Sequence, residues 1–190
     1  LKVLGPLFLD DLNTELAKIM GDKSSRRTAM LRAFQDKLAS IKCFDPACGC
    51  GNFLVIAYRE LRRLETEVIK ELSDQRELDI AILSKVNVDQ FYGIELEEFP
   101  ARIAEVAMWM TDHIMNVLLS DDLGQYFARI PLRAHPTIQQ GDALETDWSS
   151  VLAPEECTYI IGNPPFVGSK QGEEKQRQQI HRLAAFKGRK

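Results

Sequence analysis

The stretch Ile41-Lys42-Cys43-Phe44-Asp45-Pro46-Ala47-Cys48-Gly49-Cys50-Gly51-Asn52-Phe53 decides the fold. Its first part, Ile41 to Asp45, reads as a short buried strand. From Asn52 to about Leu72, Phe53, Ile56, Ala57, Leu61, Leu64 and Val68 recur at helical spacing, which predicts a long helix with Arg59, Arg62, Arg63 and Glu67 on its wet side. Between them Gly49 and Gly51, lacking Cβ atoms, let the turn pass close to a ligand. Two phosphate-binding readings of this turn fail on single residues. A dinucleotide loop needs Gly or Ala at position 54, where Leu54 stands, and no Gly-Lys-Ser or Gly-Lys-Thr follows.

Working outward, the chain alternates helices with short apolar strands, which predicts a mostly parallel α/β sheet with helices on both faces. Helices are expected over Leu7 to Met20 and Arg26 to Ser40, with Ser24 or Ser25 capping the second. A short helix near Arg76 to Lys85 leads into a second strand, Gln90 to Leu96. Pro100 then suits the first turn of a helix reaching about Leu119, packed through Ala101, Ala104, Ala107 and Met108. Thr137 to Gln140 and Thr158 to Gly162 read as the third and fourth strands.

The 190 residues, 45% hydrophobic and 27% charged, suit one soluble core. The longest apolar stretches are too short to span a membrane, and Leu1 to Asp10 lack the features of a secretory signal, so a cytoplasmic setting is expected. Cys43, Cys48 and Cys50 follow a C-x4-C-x-C spacing with no nearby His, unlike paired zinc-ribbon units, and no metal is expected. The net charge of -4 argues against a surface basic all over. From Lys170 to Lys190, however, seven Lys or Arg stand against Glu173 and Glu174. That tail reads either as a solvated terminal helix or as a strip contacting phosphates.

The chemistry gathers at the carboxyl ends of the strands, where an open parallel sheet holds its ligands. Asp45 ends the first strand. Gly93-Ile94-Glu95-Leu96 ends the second, with a carboxylate able to accept from both hydroxyls of a ribose. Gly141-Asp142-Ala143 follows the third, with an acid able to accept from an adenine amino group. After Tyr159-Ile160-Ile161-Gly162 comes Asn163-Pro164-Pro165-Phe166. Two successive prolines have no backbone donors and fix φ, leaving the Asn163 and Pro164 carbonyls free to accept bonds from a planar amino group. Each acid alone is equally a surface or capping residue, and a Pro-Pro pair can simply stop a strand. Their recurrence at successive strand ends favours a site.

Taken in order, DPACGCGNF, GIEL, GDAL and IIGNPPF resemble the motifs of the class I S-adenosylmethionine-dependent DNA methyltransferases that modify the N6 amino group of adenine. The resemblance covers about Ile41 to Gly168 and departs at Cys50, where the family usually has Ser or Thr. Gly168-Ser169-Lys170 further resembles the large single-chain restriction-modification enzymes. It implies a Rossmann-like methyltransferase core at 41–168, truncated after about four strands. Residues 1–40 would be a helical segment packed on the core and 169–190 a basic tail, with the target-recognition domain absent.

For the cofactor, S-adenosylmethionine, the resemblance implies Asp45, Pro46, Ala47, Cys48, Gly49, Gly51, Asn52 and Phe53 at the methionine end and Glu95 at the ribose. Asp142 would meet the adenine amino group, with Ile94, Leu96 and Ala143 flanking the ring. Double-stranded DNA is the implied partner, its target adenine flipped out to stack on Phe166, with the N6 hydrogens accepted by Asn163 Oδ1 and the Pro164 carbonyl. Other readings are an N5-glutamine protein methyltransferase, an RNA amino-methyltransferase and a non-catalytic DNA-binding module. As a piece of a longer enzyme, whose remaining part would carry any specificity or nuclease region, the chain is expected to leave its fourth strand at a sheet edge and to be weak or inactive alone. Pro6 and Phe8 are candidates for the family's upstream motif.

Overall fold

The computed structural model describes residues 5–73, 84–124 and 134–163. Asp10–Gly21 (α1) follows a single π-helical turn, Gly5–Leu9, and buries Leu12, Leu16 and Ile19. Arg27–Ser40 (α2) buries Leu31, Phe34 and Leu38. Ser24 caps less directly than expected: its hydroxyl accepts from the Arg26 amide, and its carbonyl accepts from Arg27. Then follow Cys43–Asp45 (β1), Asn52–Ser73 (α3), Phe91–Glu95 (β2), Glu98–Leu123 (α4), Thr137–Gln140 (β3) and Tyr159–Ile160 (β4). Pro100 lies in the first turn of α4, where its missing N–H costs nothing.

The four strands are all parallel, in the order β3-β2-β1-β4. Strands β1 to β3 step one way across the sheet, and β4 returns to the other side of β1. Right-handed crossovers then put the connections before and after that reversal on opposite faces. Among the described residues, α1 to α4 pack on one face, and the 3-10 helix Trp148–Ser150 with Val151 and Leu152 covers the other. Cys43 and Phe91 point into that layer, joining Leu31, Leu54, Leu61, Met108 and their neighbours in the main core. Phe44 and Ile94 point the other way, against Val151 and Leu152 from the segment between β3 and β4. Each apolar side chain so buried contributes about 1.5–3 kcal/mol.

Among the described residues β4 is an edge strand, with Ile160 61% exposed. Phe8, buried, stacks on Tyr159 with ring centroids 4.4 Å apart, tying the start of the chain to that edge. The buried side chain of Gln90 donates to the carbonyls of Leu38 (2.9 Å) and Ile41 (2.7 Å), fixing the end of α2 against the entry to β2.

Arg62 corrects the expected wet face of α3. It is fully buried, donating to Tyr58 Oη (2.8 Å), Asp112 Oδ1 (3.0 Å) and Asn116 Oδ1 (2.9 Å), with Glu65 beside it. Glu65 in turn accepts from Gln35, Ser84 and the Val86 amide, which anchors the chain as it enters β2. A guanidinium can be buried this way because both terminal nitrogens find acceptors, while Nε, which makes no hydrogen bond, lies 3.4 Å from the Glu65 carboxylate.

Candidate active site at the strand ends

The register sets the strand ends side by side. Asp45 pairs with Gly93, Phe44 with Ile160 and Glu95 with Gln140, so the loops after all four strands leave from one rim. Backbone bonds carry the pairing into the loops: Cys48 N–H donates to the Ile94 carbonyl (3.0 Å), Gly141 to Glu95 (2.9 Å) and Ile161 to Phe44 (2.8 Å).

Asp45 is 1% exposed. Its Oδ1 accepts the Ala47 amide at 3.0 Å, while the buried Oδ2 has no protein partner. Desolvation raises its carboxyl to about 6; the Ala47 N–H opposes that rise and the charge of Glu95 adds to it. Gly162 lies directly over this carboxylate. A Cβ there would fall 2.6 Å from Asp45 Oδ1, closer than side chains tolerate, so only glycine fits before Asn163. Gly51, at φ +82°, similarly brings the turn within 3.0 Å of the Ala104 Cβ when given a Cβ of its own.

Glu95 is half-buried and braces the same turn, accepting the Gly49 amide at 2.8 Å through Oε2 and the Glu97 amide at 3.1 Å through Oε1. Asp142 holds its own loop, Oδ1 accepting from Leu144 N and its carbonyl from the Thr146 amide and hydroxyl. Trp148 was not singled out from the sequence. Its Nε1 donates to the Ala143 carbonyl (2.8 Å) and its ring meets Phe44 edge-on, making a wall behind the third loop.

The structure thus gathers Asp45, Ala47, Gly49, Gly51, Glu95, Asp142, Ala143 and Asn163 around one rim, with Asn163 exposed. Pro46 is half-buried, Asn52 is exposed as the first residue of α3, and Leu96 is exposed. Phe53 packs on the main core. Ile94, expected beside an adenine ring, is fully buried in the smaller apolar cluster. Pro164, Pro165 and Phe166, Gly168 to Lys170 and the basic tail lie outside the described residues.

Cys43 and Cys48 are buried and Cys50 is exposed. Burial pushes the Cys48 thiol up to about 12, with the Asp45 and Glu95 charges adding, so it stays protonated and unreactive. Among the described residues no three His, Cys, Asp or Glu side chains converge as a metal would require, and no helix is long and apolar enough to cross a membrane.

An open parallel sheet with this strand order and with acids and glycines at adjoining strand ends defines a Rossmann-like methyltransferase core. Residues 20–190 match the MmeI DNA-methyltransferase domain family, and the chain belongs to it. DNA methyltransferase A of Bacillus subtilis is 36% identical over 174 residues, which are 90% of this chain and 19% of that protein. The solved type IIL restriction-modification enzyme MmeI, in complex with DNA, superimposes with a TM-score of 0.87 at 51% identity. That match covers 95% of this chain and 24% of the MmeI chain.

Proposed function

We propose that this chain supplies the cofactor-binding and catalytic core of an enzyme that transfers a methyl group from S-adenosylmethionine to the N6 amino group of adenine in DNA, as part of a restriction-modification system. The observation that carries the reading is the close approach of Gly162, just after β4, to Asp45 at the end of β1, which puts a buried carboxylate with one unpartnered oxygen beside the residue that precedes Asn163. Membership of a DNA-methyltransferase family supports the substrate class.

The residues present fit the cofactor. A buried acid with one idle oxygen suits a cationic group, and Glu95, half-exposed beside the turn, has lone pairs left for a ribose diol. Asp45, with Pro46, the backbone from Ala47 to Gly51, Asn52 and Phe53, would hold the methionine end. Glu95 would hold the ribose, and Asp142, Leu96 and Ala143 the adenine end, with Ile94 supporting them from the core. When bound, the cofactor supplies an electrophilic methyl group on a sulfonium.

The chain's own part is orientation. Asn163 Oδ1 and the Pro164 carbonyl would accept the two hydrogens of the target amine, turning its nitrogen lone pair toward the methyl group, with Phe166 stacked on the extruded base. The amine would lose its proton to solvent as the N–C bond forms and the sulfonium S–C bond breaks to leave a neutral thioether, a balance that needs no metal and no covalent enzyme intermediate.

The test is methyl transfer from labelled cofactor to duplex DNA by the polypeptide of the full reading frame, with this 190-residue chain assayed beside it for cofactor binding. Label is expected at adenine N6, abolished by Asn163→Ala, while cofactor binding by that variant persists. Label in RNA or protein and none in DNA would overturn the reading.

A further inference from the structure

Helix α4 shows the sheet a normal packing face, with Ala101, Ala104, Met108, Met115 and Leu119 buried. Its outer face is unusual. Phe99, Ile103, Val106, Met110, Ile114 and Val117 follow one another at spacings of three and four, so they form one stripe about 27 Å long at 1.5 Å per residue. All are exposed, Phe99 by 76% and Met110 by 60%. Continuous apolar surface of this extent on a soluble domain marks a contact surface.

Charge narrows the occupant. The sole Lys or Arg in α4 is Arg102, which is paired with Glu105 at 3.1 Å. From Val106 to Ser120 the titratable residues are Asp112, buried against Arg62, and His113. Both ends of the helix carry acids, Glu97 and Glu98 at one and Asp121 and Asp122 at the other. Nucleic acid or an anionic membrane would meet only Arg102 and Lys70 along this helix, paired with Glu105 and Asp122, to neutralise its phosphates. The occupant must be protein and apolar.

Length supplies the rest. The chain spans 19% of one relative and 24% of the solved MmeI chain, so in such enzymes most of the polypeptide lies outside the segment that carries this helix. The stripe begins at Phe99, four residues beyond Glu95, so whatever covers it touches the domain next to the cofactor rim. We infer that the outer face of α4 is the docking surface for another domain of the same polypeptide, which packs a charge-poor apolar face along Phe99 to Val117. This rests on exposure, charge and the length of the relatives, independently of the methyl-transfer reading.

The experiment places a thiol probe on the stripe by Met110→Cys and, separately, Ile114→Cys. Each variant is made in this 190-residue chain and in the polypeptide of the full reading frame. Maleimide labelling is followed by mass spectrometry on the α4 peptide. Both variants are expected to label freely in the short chain and at least about tenfold more slowly in the full polypeptide, as burial of a site slows its reaction. Equal rates in the two proteins overturn the inference. So does protection in the short chain that disappears on dilution, which would make a second copy the occupant, and so does protection of the full polypeptide that requires duplex DNA. None of these readouts depends on methyl transfer, so a protein that fails to methylate DNA can still confirm the surface.

Discussion

Glu95 Oε2 accepts the Gly49 amide at 2.8 Å, so the carboxylate we propose for a ribose also fixes the glycine turn of the neighbouring strand. Two loops that would hold different ends of one cofactor are therefore a single mechanical unit. Glu95→Gln keeps an acceptor for Gly49 but loses the charge, whereas Glu95→Ala loses both. Calorimetric titration of S-adenosylmethionine is expected to show affinity falling roughly tenfold for the Gln variant and by about a hundredfold for Ala, from about 1.5–3 kcal/mol per hydrogen bond to a charged group. Thermal melting separates the two effects: the Gln variant should melt close to the parent and the Ala variant below it. Unchanged affinity in both variants would remove Glu95 from the site.

Gly162→Ala tests the contact across β1 and β4. The new Cβ would lie 2.6 Å from Asp45 Oδ1, and Asp45 cannot swing away because it is buried and bonded to Ala47. Overpacking of this kind costs about 1–3 kcal/mol, read as a shift in the urea midpoint. Gly21→Ala is the control, since a Cβ there meets nothing within 4 Å. It should be neutral or slightly stabilising. Equal effects of the two substitutions would deny that Gly162 is there for its lack of a side chain.

The strand ends were legible because the chemistry-bearing residues of this sequence concentrate where apolar runs stop, and Thr137–Gln140 was placed to the residue. What stayed hidden depends on partners distant in sequence. Helical periodicity assigns Arg62 to water because it cannot see Asp112 on another helix, and it is that acid, with Asn116 and Glu65, that makes burial tolerable. The strict alternation of a strand sends Ile94 to the core while Glu95 reaches the rim, a distinction lost when GIEL is read as one motif. The reason for glycine at 162 emerges only once β4 is known to lie beside β1.

Arg62→Met should be among the most destabilising single changes in the chain. It leaves Asp112 in a dry interior with only the neutral Tyr58 and Asn116 donors and Asn116 Oδ1 without the guanidinium, and breaking a buried ion pair costs about 3–5 kcal/mol. Arg62→Lys should rescue little, since one ammonium cannot reproduce the fork that meets Tyr58, Asp112 and Asn116 at once. Urea denaturation of the two variants and of the Arg62→Met, Asp112→Leu double variant decides the matter. Partial recovery in the double variant is expected, because it removes one of the two buried carboxylates that the guanidinium balances and leaves Glu65. A parent-like midpoint for Arg62→Met alone would contradict the burial.

Asp45 should leave a signature in the pH dependence of stability. Its carboxyl is raised from 3.8 to about 6, chiefly by desolvation, so well below pH 4 it is neutral in both the folded and the unfolded chain and contributes nothing. Between about pH 4 and 6 the unfolded chain ionises while the folded one keeps its proton, so rising pH costs stability, and above about pH 6 the loss is constant. The shift corresponds to about 3 kcal/mol at 1.36 kcal/mol per unit. Asp45→Asn cannot ionise, so the stability of the variant relative to the parent should climb across that window and then level off, as followed by urea midpoints at closely spaced pH values. A flat difference would mean that folded Asp45 ionises like any surface acid. A ligand whose cation pairs with the ionised form should bind the parent progressively more tightly as pH rises toward about 6, and the Asn variant should lose that trend. The same idle oxygen that weakens the fold at neutral pH would make the site receptive to a positive charge.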